Sequence, residues 1–600
     1  MKIGIIGAGP RGLSMAERLL HNAENEKIEV VIFDPNGPGG KVWRTDQPLA
    51  LLMNSVSQQV TLFTDETLSS GGKVFNGPNL YEWSQTEAHR FVRENPHKNQ
   101  GFFLKEASHL TPDEQSTRCF YGMYQEWFFK ELLQGFPEQL QLIKELVLKA
   151  EESENGFDLI TEIQTVHVDQ LIIASGHSQN ELTGEEKELA LHAEKTGLFY
   201  QPPTNPADVS IREIPAGEPV ILRGLGLSFF DYVGLFTKER EGHFTEENGR
   251  YVYHPSGKEP IVYCGSRKGL PYYPRGKNQK QGGASAWPKC ITKENLEKLH
   301  SEGKLTGTLF FDLLKKDVEL FYYKKLIDEK GFAIDRKKFE KDYLTKEQES
   351  VLDDYPELKK FRWSWDKAEN PEKYFGQDFT AESRKFIDWQ IQEAEKGNCT
   401  GAFTSALDAL KDWRDPIRQV MEWGDFSAKE YKELLWGWFT HMNTFLTIGP
   451  PISRTKELAA LIDAGIFRLL PPNFTIEKGK QFTAVKEEAI VSSNYLIEAR
   501  LPSTNLTLSE NPLLKNLYQH RKVRPYTFAD ETASFKSEAL EVDRLTSQVV
   551  DASGHRYTNL YCFGIPVEGV DWLTAAAARP YTDPWNLRQA DKIAQEVLGK

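Results

Sequence analysis

The first residues that could do chemistry are three glycines near the N-terminus, in the sequence Gly7-Ala8-Gly9-Pro10-Arg11-Gly12. Residues 2–6 before them predict a buried strand, residues 13–21 after them predict a helix, and residues 28–33 predict a second strand that ends at Asp34. This order is typical of a dinucleotide-binding unit, in which the acid accepts hydrogen bonds from the ribose hydroxyls of the adenosine. The sequence therefore predicts a dinucleotide site at this turn.

Each glycine of the motif has a physical role. Gly7 permits the turn, Gly9 lets the backbone approach a pyrophosphate, and Gly12 lets helix and strand pack closely. The helix N-terminus presents free N–H groups and a partial positive charge to the phosphates. Pro10 and Arg11 complete this set of cofactor-binding candidates. The alternative is a glycine-rich turn that binds nothing.

A further strand is predicted over residues 166–175 and runs into Gly176 and His177. The Ala-Ser-Gly-His sequence at its end resembles the Ala-Thr-Gly segment of flavoproteins that bind two dinucleotides. In those proteins the chain runs past the FAD at this segment and crosses between domains. Gly176 is therefore a candidate FAD contact. His177 is either a turn residue or a catalytic base, and we expect a turn residue.

A second glycine motif follows the predicted strand Pro219–Arg223. Gly224, Gly226 and Ser228 are the candidates for contacts to a second pyrophosphate at the start of a predicted helix. The motif is incomplete, because Phe229 stands where a small residue normally permits close packing. We expect a second nucleotide here, with Phe229 as the residue that could push the helix away.

The choice of the second nucleotide is predicted from the strand Pro260–Cys264 and the loop after it. Where the first unit has an acid, this loop has Ser266, Arg267 and Lys268. A hydroxyl and two cations suit a ribose 2′-phosphate, so NADPH is favoured over NADH. The alternative is a solvated basic loop.

The C-terminal region predicts a strand over Leu560–Phe563, then Gly564 and Gly569, and then a helical run over Trp572–Arg579. A helix N-terminus that points at the pyrimidine edge of a flavin would stabilise negative charge on the reduced ring. Gly564 and Gly569 are therefore candidates for closing the FAD site.

Charged and aromatic residues dominate from residue 291 to 469, which predicts a helical insertion with helix starts at Thr345 and Ser427. The fold class predicted for the chain is α/β, with two Rossmann-like dinucleotide-binding domains and a large helical insertion. The predicted domains are an FAD-binding domain over 1–205 and 470–600, an NAD(P)-binding domain over 206–290, and a substrate or partner domain over 291–469.

The net charge of −14 and the pI near 5.6 disfavour nucleic acid, which requires clustered cations. With a mean hydropathy of −0.52, the sequence has no segment long and apolar enough to span a bilayer, so we expect no membrane role. The oligomeric state stays open.

Cysteine spacing disfavours a metal site, a disulfide framework and a redox dithiol. The sequence has five cysteines, and no two of them form a CxxC pair. They are Cys119, Cys264, Cys290, Cys399 and Cys562. The apolar N-terminus runs directly into the first glycine motif, which must stay attached, so it is not a cleaved signal peptide. We therefore expect a cytoplasmic protein without a metal.

Several long motifs resemble the bacterial FAD-NAD(P)-binding family of about this length. They are GAGPRG, RGLGLSFFD, SRKGLPYYPRG, GPPISR and FGIPVEGVDWLTAAAARPYTDPWN. That family is similar to the flavin-dependent N-hydroxylating monooxygenases and includes enzymes that oxidise the amino group of aspartate to a nitro group. The resemblance implies FAD, NADPH and amine oxidation, although activity does not follow from fold alone.

Two more candidates come from this resemblance. The sequence Gly39-Gly40-Lys41-Val42-Trp43 is similar to the GGxW element of flavin monooxygenases, with one extra residue before Trp43. Residues 51–54 are similar to the segment beside the isoalloxazine ring, where Asn54 is either a polar contact or an ordinary turn cap.

Two nucleotide sites imply hydride transfer from NADPH to flavin, and the next electron acceptor decides the function. The absence of a cysteine pair excludes disulfide reduction, so oxygen is the simplest acceptor. We expect a monooxygenase that acts on a small polar substrate such as an amino acid or amine. The alternatives are an oxidoreductase with a non-oxygen acceptor and a non-catalytic nucleotide-binding sensor or assembly protein.

The spacing of the sequence identifies no catalytic side chain. Arg454, Arg524 and Arg579 are candidates only because a carboxylate substrate requires a cation.

Overall fold

The computed structural model describes residues 1–24, 26–280 and 286–600, and these residues form two compact units. The first unit comprises Met1–Leu182, Leu501–Ala529 and Phe535–Lys600, and the second comprises Thr183–Arg500 and Asp530–Ser534.

The strands of the described chain are β1 Lys2–Ile6, β2 Glu29–Phe33, β3 Leu140–Ile143, β4 Lys149–Ser153, β5 Gly156–Ile160, β6 Thr165–Val168, β7 Gln170–Ile173, β8 Phe199–Gln201, β9 Pro219–Arg223, β10 His243–Glu247, β11 Arg250–His254, β12 Ile261–Gly265, β13 Phe467–Leu469, β14 Thr475–Lys478, β15 Phe482–Lys486, β16 Glu488–Ser493, β17 Tyr495–Glu498, β18 Pro525–Ala529, β19 Ser534–Leu540, β20 Gln548–Val550 and β21 Arg556–Cys562.

The α-helices are α1 Pro10–Asn22, α2 Leu80–Thr86, α3 Ala88–Glu94, α4 Gln100–His109, α5 Arg118–Gly135, α6 Gly184–Thr196, α7 Leu227–Phe236, α8 Lys293–Ser301, α9 Gly307–Lys330, α10 Arg336–Thr345, α11 Gln348–Asp354, α12 Pro356–Lys359, α13 Trp365–Glu369, α14 Phe379–Glu395, α15 Ala402–Asp412, α16 Arg414–Trp423, α17 Ala428–Glu430, α18 Thr440–Thr447, α19 Ile452–Asp463, α20 Pro512–Gln519 and α21 Trp585–Val597. Short 3₁₀-helices cover Ser57–Gln59, Pro206–Asp208, Lys238–Arg240, Pro371–Tyr374 and Ile565–Val567, and a π-helix covers Tyr431–Phe439.

A six-stranded sheet organises the first unit, in the order β20-β21-β7-β1-β2-β3. All neighbours pair in parallel except β20 and β21, which are antiparallel. Strands β1 and β2 are buried along almost their whole length, as parallel strands covered on both faces must be. Helix α1 follows β1 through the glycine turn and packs against α21.

A five-stranded parallel sheet organises the second unit, in the order β13-β12-β9-β17-β8. Helix α7 follows β9, as α1 follows β1 in the first unit. Between β12 and β13 the described chain contains helices and loops without a strand, from α8 to α19. The predicted fold class, two Rossmann-like domains and a large helical insertion, is confirmed.

The two units divide at 182/183 and 500/501, whereas the sequence placed domain boundaries at 205/206 and 469/470. The reason is strand pairing. Strand β17 hydrogen-bonds to β9 and β8 to β17, so both short strands belong to the second sheet. Their apolar residues carry no signal about which parallel sheet they join.

Of the two predicted helix starts, one is confirmed. Ser427 and Glu430 form a reciprocal capping box at α17. The prediction at Thr345 is wrong, because its hydroxyl donates to the Lys341 carbonyl within α10 and Glu347 precedes α11 instead.

The carboxylate of Asp591 connects α21 to the N-terminal part of the first unit. It accepts hydrogen bonds from Asn22 Nδ2 at 2.8 Å, Ser70 Oγ at 2.6 Å and the Gly72 N–H at 3.1 Å. Arg18 Nη1 lies 3.4 Å away, and both side chains are fully buried. A buried carboxylate with this many donors fixes the C-terminal helix against the fingerprint helix.

We predict that Asp591→Ala lowers the free energy of unfolding by about 3 kcal/mol, because it leaves several buried donors without an acceptor. The urea midpoint of the first unit, followed by intrinsic fluorescence, measures this change. Glu87→Ala, which removes an exposed ion pair with Arg90, is the control and should leave the midpoint unchanged. Equal midpoints for the two variants would contradict the prediction.

Candidate functional site

The first glycine turn passes directly over the end of β7. Gly7 has a φ of +108°, and a Cβ there would lie 2.7 Å from the Ala174 carbonyl oxygen. Both the backbone conformation and the close approach require glycine at this position. The turn therefore sits at the carboxyl ends of β1 and β7, where nucleotides bind in open α/β sheets.

Gly9 and Gly12 differ in what surrounds them. A Cβ at Gly12 would overlap the Gly7 carbonyl oxygen, so this glycine is needed for helix α1 to pack on the turn. Around Gly9 the nearest atom to such a Cβ is the Gly39 carbonyl oxygen, 3.9 Å away. Gly9 is the N-cap of α1 and has no side-chain cap, so the helix N–H groups face this space. A pyrophosphate fits both features.

Asp34 holds the turn from the end of β2. Its Oδ2 accepts from the Ala8 N–H at 2.9 Å and its Oδ1 from the Asn36 N–H at 2.9 Å. Burial raises the pKa of this carboxyl group, and the two N–H donors oppose that shift. Asp34 therefore shapes the turn as well as being the predicted ribose ligand.

The segment after β7 contributes Ser175, which sequence reasoning missed. Its Oγ is buried and has no hydrogen-bond partner within the described chain, and its Cα lies 3.5 Å from the position of a Gly7 Cβ. Such a hydroxyl group at a glycine turn suits a ligand oxygen. Gly176 and His177 are exposed beside it.

The loop of residues 37–43 lies against the first turn. The Gly39 N–H donates to the Ala8 carbonyl at 2.8 Å, and Gly40 approaches Asp34. The ring of Trp43 packs edge-on against Tyr121 of α5, with centroids 4.9 Å apart. The loop thus brings Trp43 into the same region as the fingerprint.

Asn54 is half-buried and follows the bridge between Leu52 and Thr117. It does not cap the next 3₁₀-helix, whose N-cap is Val56.

Arg11 connects the fingerprint to the C-terminal segment. Its Nη2 donates to the Thr574 carbonyl, and its guanidinium lies 5.8 Å from the centroid of the Trp585 ring. A Cβ at Gly564 would lie 3.5 Å from its Cγ and Nε. The structure therefore brings Gly564 and the first motif together.

The predicted helical run over Trp572–Arg579 is wrong. The N–H groups of Leu573 and Thr574 donate to the Glu568 carboxylate at 3.0 and 2.6 Å, and Leu573 has a φ of +56°. These contacts make a turn, so the alanine-rich segment does not form a helix, and the next helix begins only at Trp585. Gly569 packs against Ser537, where a Cβ would meet that side chain at 2.7 Å.

The second glycine turn repeats the geometry of the first. Gly224 has a φ of +126°, and a Cβ there would lie 2.7 Å from the Ala499 carbonyl oxygen at the end of β17. Gly226 is the N-cap of α7, again without a side-chain cap. Here, however, the Tyr272 ring covers the glycine, 3.2 Å from the position of its Cβ.

Phe229 is accommodated within the second unit. It is fully buried, and its ring packs edge-on against Phe467 of β13 with centroids 6.0 Å apart. Helix α7 still begins at Leu227, directly after the turn, and Ser228 is half-buried in its first turn.

The three residues predicted to hold a 2′-phosphate have different surroundings. Arg267 is exposed and makes no hydrogen bond or ion pair within the described residues. Lys268 Nζ donates to the Glu369 carbonyl at 2.5 Å and to Asn370 Oδ1 at 2.7 Å. Ser266 Oγ accepts from the Gly269 N–H at 3.2 Å. Of the two cations, only Lys268 is already held by hydrogen bonds within the described residues, and the Ser266 hydroxyl keeps its own O–H as a donor.

Two of the three cations proposed as carboxylate clamps already hold carboxylates of the protein. Arg454 is buried and donates to Glu457 at 2.7 Å, and Arg524 forms a two-pronged pair with Glu541 at 2.7 Å. Arg579 is half-buried, and its carbonyl accepts from Thr582.

All five cysteines are free thiols, and burial raises the pKa of the Cys119 and Cys290 thiols to about 12. Among the described residues, no helix is both long and apolar enough to cross a bilayer. In the same residues, no group of three or more His, Cys, Asp or Glu side chains is placed to hold a metal ion.

Two parallel sheets, each with a positive-φ glycine at a strand end and an uncapped helix N-terminus behind it, are the arrangement of the class of proteins that bind two nucleotides. Residues 4–178 match the FAD-NAD(P)-binding family.

The chain is 36% identical to an L-aspartate N-monooxygenase (nitrosuccinate-forming) of Streptomyces davaonensis, over 99% of this chain and 96% of that enzyme. It is 34% identical to a nitrosuccinic acid synthase of Aspergillus oryzae, over 99% of this chain and 92% of the relative. An ornithine hydroxylase structure from Pseudomonas aeruginosa superposes with a TM-score of 0.45 at 10% identity, covering 100% of this chain and 98% of that one.

The chain belongs to the family of these amino-acid N-monooxygenases. The predicted enzyme class, a flavin-dependent oxidoreductase of the monooxygenase type that uses FAD and a nicotinamide nucleotide, is confirmed.

We predict that two glycine substitutions in the first turn affect different properties, FAD affinity in one case and the stability of the FAD-free protein in the other. Gly9→Ala should leave the stability of the FAD-free protein unchanged and weaken FAD binding about tenfold or more, because the new methyl group enters the space for the pyrophosphate. Gly12→Ala should destabilise the protein even without FAD, because its methyl group overlaps backbone. Thermal unfolding of FAD-free protein and FAD titration separate the two, and similar unfolding temperatures would contradict the prediction.

A second pair of variants tests the nucleotide loop. Arg267→Ala should raise the NADPH concentration for half-maximal flavin reduction about ten- to a hundredfold and leave that for NADH nearly unchanged, because only NADPH carries the phosphate. Lys268→Met, which removes contacts to Glu369 and Asn370, should not change the preference. Anaerobic flavin bleaching measures both. Equal losses with the two nucleotides in Arg267→Ala would refute the assignment.

Proposed function

We propose that this protein is an FAD-dependent, NADPH-using monooxygenase that oxidises the amino group of L-aspartate and forms nitrosuccinate. The observation that carries the proposal is the identity of 36% that extends over nearly the full length of both chains to an enzyme of this activity. The two glycine turns support it, because the reaction needs one site for the flavin and one for the reductant.

The first turn is the proposed FAD site. The N–H groups of α1 at Gly9 would hold the pyrophosphate, Asp34 the ribose, and Ser175 a further oxygen of the cofactor. Bound FAD would take hydride from NADPH and pass one atom of dioxygen to the substrate nitrogen, while the other atom leaves as water. Trp43, Asn54, Gly176, Gly564 and Gly569 stay predicted contacts.

The second turn is the proposed NADPH site. Gly224, Gly226 and Ser228 line the N-terminus of α7, and the exposed Arg267 is the proposed partner of the 2′-phosphate. The Tyr272 ring covers Gly226, so the pyrophosphate can approach the turn only if this ring moves aside.

Conversion of an amine to a nitro group fixes the stoichiometry. Each insertion of one oxygen atom uses one dioxygen and one NADPH and releases one water, and a further water leaves when the doubly hydroxylated nitrogen becomes a nitroso group. Three insertions therefore consume three NADPH and three dioxygen per nitrosuccinate.

The cytoplasmic location stays a prediction from the sequence.

The proposed function predicts that the FAD-loaded protein, supplied with NADPH, air and L-aspartate, forms nitrosuccinate at one product per three NADPH. Mass spectrometry with ¹⁸O₂ should find both nitro oxygens labelled. L-Asparagine is the matched control, because it lacks only the side-chain charge. NADPH oxidation with an acceptor other than oxygen and no labelled product would favour the oxidoreductase alternative. No NADPH oxidation with any acceptor would favour the sensor.

A further inference from the structure

The end of β12 in the second unit corresponds to the end of β2 in the first. The Gly224 N–H donates to the Gly265 carbonyl at 2.8 Å, and the Gly7 N–H donates to the Phe33 carbonyl at the same distance. In the first unit the next residue is Asp34, the proposed ribose ligand. By this correspondence, the residues that follow Gly265 are next to the ribose of a nucleotide at the second turn.

Helix α18 packs against this loop. The Tyr273 N–H donates to the Phe445 carbonyl at 3.1 Å, and the Tyr272 ring packs edge-on against the Phe445 ring with centroids 6.1 Å apart. The Lys268 ammonium lies 5.2 Å from the centroid of the same ring. Contacts to one residue of α18 thus hold the helix against the segment from Lys268 to Tyr273.

His441 stands one helical turn before Phe445. Residues four apart in an α-helix share a face, so the imidazole lies on the side of α18 that meets the loop. His441 is exposed, and it makes no hydrogen bond or ion pair within the part of the chain that the structure describes. Its ring nitrogens are therefore accessible to a ligand at this loop.

Arg267 is close to both His441 and Tyr272. Burial, which is the larger cause, and the charge of the Arg267 guanidinium both lower the pKa of the His441 imidazole. The same guanidinium opposes the rise that burial causes in the pKa of the Tyr272 hydroxyl group. That hydroxyl group lies 3.2 Å from the position of a Gly226 Cβ. Arg267 and His441 are therefore neighbours beside the second glycine turn.

The acids of this region act on Lys268. The carboxylates of Glu369 and Glu372 oppose the fall that burial causes in the pKa of the Lys268 ammonium. Among the described residues, no acid forms an ion pair with Arg267 or His441. A phosphate that reached these two side chains would meet N–H donors and no carboxylate already bound to them.

We propose that His441 binds the ribose 2′-phosphate of NADPH together with Arg267, so that the helical region contributes to the choice of nucleotide. This inference rests on the proposed NADPH site at the second turn. The guanidinium offers the phosphate two parallel N–H donors, and the imidazole donates a further N–H bond. The charge of the phosphate also relieves the repulsion between the two side chains. NADH lacks the phosphate and gains none of these contacts.

The binding test compares adenosine 2′,5′-bisphosphate with adenosine 5′-monophosphate, which differ only in the 2′-phosphate. In calorimetry with the FAD-loaded protein, the wild type should prefer the bisphosphate. His441→Ala should reduce this preference about three- to tenfold, the effect of one lost hydrogen bond, and leave the affinity for the monophosphate unchanged. His243→Ala, which removes another exposed histidine of the second unit from β10, is the matched control and should change neither affinity.

A second variant separates the phosphate contact from a role in folding. Arginine keeps N–H donors and a positive charge, so His441→Arg should retain at least the preference of the wild type. In anaerobic flavin reduction, the NADPH concentration for half-maximal bleaching should rise about three- to tenfold in His441→Ala, with that for NADH nearly unchanged. The two readouts should give the same order of the three proteins.

Three results would overturn the proposal. The first is equal loss of affinity for the two adenosine nucleotides in His441→Ala, because the histidine would then contact the adenosine or support the fold. The second is an unchanged preference in that variant. The third is a wild type that does not prefer the bisphosphate.

Failure of the proposed function gives a different result. If the wild type forms no nitrosuccinate but prefers the bisphosphate, and His441→Ala loses that preference, the phosphate site stands and the substrate assignment falls. If the wild type forms nitrosuccinate and His441→Ala keeps its nucleotide preference, the function stands and the role of His441 falls.

Discussion

The close approach of a glycine to a strand-end carbonyl is the constraint on which both nucleotide turns depend. Gly7 meets Ala174 and Gly224 meets Ala499 at the same distance of 2.7 Å, each measured from the position that a Cβ would take. In each sheet this contact sets where the following helix begins, and therefore where its N–H groups point. The surrounding elements maintain this spacing, including the Asp34 carboxylate that holds the Ala8 N–H.

Local physics explains which parts of this structure could be predicted. Gly7, Gly9 and Gly12 signal their roles within six residues, because the turn, the uncapped helix and the buried strand are all local features. Features that depend on contacts between distant segments of the chain could not be predicted from the local sequence. The Trp572–Arg579 segment favours a helix by composition, but Glu568 takes its first N–H groups. Lys268 resembles a phosphate ligand in sequence and is held by α13 and Asn370.

The sheet and the helical region of the second unit differ in the polarity of their interiors. The sheet is covered by apolar residues such as Phe229 and Phe467, whereas the helices around Arg275 enclose charges and the unsatisfied Gln390 amide. An apolar interior stabilises the fold, and a polar one tends to reduce stability unless every group is paired. Sequence patterning gave no sign of this unsatisfied amide, because Gln390 stands among buried residues of α14, such as Ile387 and Ala394, that recur at ordinary helical spacing.

The discontinuity of the first unit has a consequence for biosynthesis. Strand β21 joins β7 in the interior of the sheet, and α21 packs on α1, but both are translated after residues 183–500. At about 5–20 residues per second, the ribosome needs roughly 15 to 60 s for that interval. During this time the N-terminal glycine turn exists without the strand and helix that complete it. The backbone N–H and C=O groups on the edge of β7 that later pair with β21 therefore stay unpaired, and open to pairing with another chain, until residues 556–562 have been translated.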